Sequence, residues 1–187
     1  MGFVMFDPGA YGEDVRAILA VGGSGMRLQS LVFEPGVPPA APGPLRRAKA
    51  LELFRRSSAP QEALGGLWVY FDGFDEAHQI VQDLSSTEAS YWHAIIHRRE
   101  PDAGNAAYWF RRVGTHPVFD GLQEGVRELQ ESQGKTWLAL GGRWNPMAFV
   151  ELTEEARTAP GSEKERFAKQ VQLLEWQLLF DYCAAVK

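Results

Sequence analysis

SSTEASYWHAIIHRREPDAGNAAYWFRRVGTHP, residues 85–117, reads as two helices and the turn that joins them. Ser85 with Glu88 three residues later forms a capping box, which predicts a helix over residues 86–99 with Trp92, Ile95 and Ile96 on its apolar stripe. Pro101 and Asp102 end that helix and cap the next, which carries Ala106, Trp109, Phe110 and Val113 on one face and stops at Gly114. Two helices joined by so short a turn pack antiparallel as a helical hairpin.

The preceding segment repeats the pattern. Residues 59–71 are apolar enough for a buried helix, Asp72-Gly73 breaks it, and residues 75–84 resume with Ala77, Ile80, Val81 and Leu84 at helical spacing. Leu64, Gly65 and Trp68, then Ala77, Val81 and Leu84, and again Ala106, Phe110 and Val113 before Pro117, resemble the small-and-apolar pattern of tetratricopeptide-type hairpins. The likeness covers at most two degenerate repeats: Ala77 and Ala106 are spaced more closely than that repeat requires, and Gln61 stands where an aromatic is usual. Residues 92–114, WHAIIHRREPDAGNAAYWFRRVG, also resemble the signature segment of a family of bacterial and fungal proteins, a likeness that implies kinship and brings no activity with it.

Outward from this centre the signals stay helical. Residues 13–21 form a short helix with Val15, Ile18 and Leu19 inward. The following VGGSGMRL, residues 21–28, looks like a glycine-rich phosphate loop, but no strand precedes it, and a helix-terminating turn is expected instead. Prolines and glycines make residues 34–44 a loop, and residues 45–54 a basic amphipathic helix with Leu45, Ala48, Leu51 and Phe54 inward. Val118, Leu122, Val126 and Leu129 mark a helix ending before Gly134, and Asn145-Pro146 starts another to about residue 157. Ser162 with Glu165 caps a last helix that is apolar on almost every face over residues 171–186 and therefore central. Period-two segments are nearly absent. The expected class is all-α: one domain over residues 1–187, a bundle or short solenoid of antiparallel helical hairpins around a buried C-terminal helix.

Composition narrows the function. The 187 residues are 45% hydrophobic and 23% charged, as in a globular chain with a sizeable core. A net charge of -5 argues against nucleic-acid and anionic-membrane partners and confines any anion site to a local patch. No run reaches the length of a membrane helix, the N-terminus lacks a signal-peptide pattern, and Phe6 occupies the position where myristoylation wants Ser or Thr. With a single cysteine, Cys183, a cytoplasmic location is expected.

Chemistry concentrates between the middle helices. His93 and His97 are four apart, and Glu100 follows three later, so all three lie on one helix face beside the apolar stripe. His78 lies seven residues before Ser85 and His93 eight after it, so a hairpin sets them level. Three histidines so placed suit zinc or another divalent metal with a coordination position left for water, the arrangement of a metal-dependent hydrolase. The competing expectation pairs the imidazoles with carboxylates or backbone, and Glu100 and Asp102 with Arg98, Arg99, Arg111 or Arg112. The first reading of the function, to which the metal-dependent hydrolase is the alternative, makes residues 93–116 a pocket for a small anion or a protein partner, lined by His93, His97, Arg99, Glu100, Tyr108, Arg111 and His116. Arg98 and Arg112, opposite their apolar stripes, are expected in solvent. A scaffold without a small ligand is the third reading.

Overall fold

The computed structural model describes residues 6–34 and 40–186, so residues 35–39 of the expected loop lie outside the described residues. After a 3-10 turn at Pro8–Tyr11 the described residues form ten helices: α1 Glu13–Val21, α2 Gly43–Arg46, α3 Ala50–Leu53, α4 Pro60–Tyr70, α5 Phe74–Val81, α6 Thr87–Arg99, α7 Ala103–Val113, α8 Val118–Gln133, α9 Pro146–Arg157 and α10 Glu163–Ala184. Extended pairing among the described residues is confined to one isolated bridge, Ser57 with Val186. The class is all-α.

Helices α4 and α5 pack as one hairpin and α6 and α7 as the next, while α10 lies against α4, α8 and α9. α10 supplies Phe167, Val171, Trp176, Leu179, Phe180 and Cys183 to the core. Trp176 stacks on Phe180 and donates from its indole N–H to the Gly66 carbonyl at 2.7 Å. On its other side Gly66 has no room for a side chain: an added Cβ would stand 2.7 Å from the Trp92 ring. No helix among the described residues is long and apolar enough to cross a membrane.

The local start and stop signals are met at Asp102, Asn145 and Ser162, whose side chains accept from backbone amides of the first helical turn. The α6 cap sits one residue later than the capping box implies. Ser86 takes the extended backbone of a cap, its hydroxyl accepts from the Ala89 amide and donates to Glu62 at 2.6 Å, and Glu88 turns instead toward His116. The glycine-rich segment after α1 is a turn. The amides of Gly22, Gly23 and Ser24 bond to carbonyls of α1, and the Tyr70 hydroxyl donates to the Gly22 carbonyl at 2.6 Å, so these amides do not form an open anion cradle.

Residues 45–54 do not make one helix. Gly43 and Pro44 already belong to α2, where proline fits the first turn, and Lys49 then adopts an extended conformation before α3. The break rotates the face, burying Ala50 and Phe54 and leaving Leu51 69% exposed. Phe54 reaches Phe180 edge-on at 6.0 Å, so contact with α10 overrides the local periodicity.

Candidate metal centre

His78 on α5 and His93 and His97 on α6 converge where the two hairpins meet. The Nε2 atoms of His78 and His93 are 3.0 Å apart with the rings perpendicular, and one ligand atom from each of the three imidazoles fits within a 4.8 Å group. Spacing of four on α6 stacks the rings of His93 and His97 at 4.9 Å and 15°, so both present their edges in one direction. The hairpin brings His78 across to both, at 4.6 and 5.4 Å between ring centroids.

Neighbouring side chains fix the rings. Glu100 Oε2 lies 2.7 Å from His97 Nδ1, and a carboxylate only accepts, so Nδ1 donates; on the other side of the ring Nε2 accepts from the Asn105 side-chain NH2. The Asn105 side-chain amide stands 3.1 Å from that Nε2. Trp109 stacks on His93 at 3.9 Å and 13°, and Phe74 stacks on His78 at 5.8 Å. A histidine held through its far nitrogen by a carboxylate is the outer arrangement that metal-ligating imidazoles share. Asn105 was not expected at the site. Its signal is the turn at Pro101-Asp102: antiparallel packing that sets Asn105 beside His97 also sets Trp109, four residues on, beside His93, four residues back.

Burial, and then the neighbouring His78 and His97, push His93 down to about 3. Burial also lowers His78, with Glu100 and Asp75 opposing the shift. His78 and His93 are therefore neutral at physiological pH, the form that binds metal. Apart from His78, His93 has no polar partner among the described residues, because its Nδ1 is buried and unbonded.

The other candidates disperse. Arg99 is fully buried but turns away, bonding to Asp72 at 2.6 Å and to the carbonyls of Val69 and Ser30, with Phe33 3.9 Å under its guanidinium. Desolvation lowers its pKa, against the pull of Asp72. Arg98, expected in solvent, is 0% exposed: it pairs with Glu175 of α10 at 2.5 Å and lies over Phe149. Glu100 and Asp102 are thus partnered by His97 and by the Asn105 backbone amide, while Arg98 and Arg99 pair with Glu175 and Asp72. Tyr108 and Arg111 are exposed, Arg112 is also exposed with its guanidinium over Trp109, and His116 is buried among Tyr91, Phe119 and Tyr182. Of the seven residues of the expected anion pocket, His93, His97 and Glu100 stay together, Arg99 and His116 are held by other partners, and Tyr108 and Arg111 are exposed.

No protein-family model, curated protein or solved structure matches the chain.

Proposed function

We propose that the protein binds a zinc-class divalent ion through Nε2 of His78, His93 and His97 and uses the remaining coordination position for hydrolytic chemistry. The convergence of the three imidazoles carries this reading. Nitrogens about 2.0–2.1 Å from a tetrahedral zinc stand about 3.3 Å apart, and the His78 and His93 atoms are already 3.0 Å apart. Three nitrogen donors leave one position open, where an ion of this class would supply a Lewis acid and a water of lowered pKa. Glu100 orients His97, Trp109 holds the His93 ring, and Asn105 stands where its amide can bond to a group bound beside His97. The segment that resembles the bacterial and fungal family contributes His93, His97, Glu100, Asn105 and Trp109.

Calorimetric zinc titration of untagged, metal-stripped protein tests the reading. One ion per chain is expected, with loss of binding in His93→Asn and in His97→Asn and melting raised by excess zinc. Unchanged zinc uptake in both variants, or none in the parent protein, refutes it. A purely structural histidine cluster predicts the second result together with lower stability in each variant.

A further inference from the structure

The glycine-rich turn after α1 leaves its apolar side chains in solvent. Met26 is 61% exposed and Leu28 43%, and both border an open groove of about 560 Å³ whose other residues come from α8 and α10. Gly125, Leu129 and Ser132 line it from α8, and Gln170, Leu174 and Gln177 from α10, so each helix contributes positions i, i+4 and i+7. These positions extend over two turns, roughly 10 Å of each helix. Leu173 and Leu174 are each 8% exposed and Leu129 is half-buried, which makes the trough apolar between its glutamines. Its walls are fixed. Gln177 donates to the Gly25 carbonyl at 2.9 Å and reaches Met26 Sδ at 3.3 Å, and at the other end Gln133 donates to Gln170 Oε1 at 2.9 Å and ties α8 to α10.

A preformed apolar trough with helical spacing on both of its helices suits a third helix that enters by an apolar stripe. Charge decides which helix. Asp120, Glu124, Glu128 and Glu131 recur at i, i+4, i+8 and i+11 on α8, one acidic stripe that meets the groove at Glu128. Arg127 lies on the far edge of that stripe and is paired with Glu124, whereas Glu128 and Glu131 have no ion pair among the described residues. On α10 the one charge between Gln170 and Gln177 is Glu175, which is buried against Arg98. The cations around the groove are engaged: Arg27 with Asp72, Lys169 with Glu165 and Lys135 with Glu163. Arg166, exposed one turn before Gln170, acts on the same Glu163, so positive charge is confined to that end and the α8 side stays negative.

We infer that the groove docks a basic amphipathic helix of another protein, with its apolar stripe over Leu129, Leu173 and Leu174 and its Lys or Arg flank against Glu128 and Glu131. Met26 suits such a seat, because an unbranched, polarisable side chain adapts to the residue it meets. The turn, α8 and α10 hold none of the three clustered histidines, so the docking stands apart from the metal reading.

Fluorescence anisotropy on the full-length protein tests the docking with three labelled helical peptides of about 18 residues. One is built of leucine, alanine and lysine with leucine at every third or fourth position, the second has glutamate in place of lysine, and the third is the lysine peptide scrambled to remove the stripe. The lysine peptide is expected to bind about tenfold tighter than either of the others, and its advantage over the glutamate peptide shrinks in raised salt. Met26→Gln and Leu129→Gln are each expected to weaken the lysine peptide about tenfold, and Glu128→Gln about threefold. Met26 is exposed, so its variant keeps the urea midpoint of the parent protein. Equal binding of the lysine and glutamate peptides, binding that survives both Met26→Gln and Leu129→Gln, or binding of no peptide overturns the inference. So does sedimentation in which the parent protein pairs with itself and Met26→Gln does not, which gives the groove to a second copy.

Discussion

Glu175→Gln removes one charge from a pair that has no solvent to fall back on. Arg98 and Glu175 are both 0% exposed, and Glu175 also accepts from the Tyr91 hydroxyl at 3.1 Å. Nε and Nη1 of Arg98 have no hydrogen-bond partner, so the carboxylate 2.5 Å away is the main compensation for the buried guanidinium. Phe149, 4.4 Å from the guanidinium carbon, adds a smaller cation–π term. Breaking a buried pair from one side costs about 3–5 kcal/mol, a large part of a domain's total of roughly 5–15 kcal/mol. Glutamine keeps an acceptor for Tyr91, so most of that loss comes from the uncompensated charge. Arg98→Met should cost a similar amount by stranding the carboxylate. Because the double variant contains neither charge, it should be more stable than the sum of the single losses predicts by about 3 kcal/mol. Urea unfolding followed by far-ultraviolet circular dichroism measures all four proteins. Losses that add to within about 0.5 kcal/mol, or single losses below about 1 kcal/mol as at an exposed pair, would refute the reasoning.

Gly66→Ala places a methyl against the Trp92 ring at a point where Trp176 bonds to the backbone, and a loss of about 1–3 kcal/mol is expected in the same urea assay. A neutral effect would show that α4 can shift away from α6. Metal-free protein should lose stability in mild acid: His93 has a folded pKa below its unfolded value, so the native state binds fewer protons, and stability present above about pH 6.5 falls as pH drops toward about 3. His93 contributes at most about 2 kcal/mol of that loss by pH 5, while His78 and His116, also lowered by burial, act in the same direction. The urea midpoint at pH 5 should lie below that at pH 7, with a smaller difference in His93→Asn; equal midpoints in the parent protein contradict the assignment.

Signals that act within one helical turn are legible in the sequence. Asp102, Asn145 and Ser162 cap the helices they precede because each serves amides two or three residues away. The meeting of His78 and His93 is legible too, since it depends on one short connection and a fixed rise per residue. Arg98 is misplaced by the same logic: periodicity sets it opposite the stripe of α6, but its partner Glu175 lies 77 residues on, in α10, and Phe149 of α9 lies under its guanidinium. Leu51 fails for a related reason, because the contact of Phe54 with Phe180 breaks the helix that would have buried it. Arg99 joins no pocket because Asp72, Val69 and Ser30 claim all sides of its guanidinium. The histidine cluster is largely local in origin, whereas the fate of the arginines is decided by distant elements.

An anomalous difference map at the zinc edge, from crystals of the untagged protein grown with one equivalent of zinc, tests the metal centre most directly. The account predicts a single peak about 2.0–2.1 Å from Nε2 of each of His78, His93 and His97, with a non-protein oxygen in the fourth position. A peak held by Glu100 and Asp102 without His78 and His93, or a His78–His93 contact that persists with no metal beside it, would contradict it.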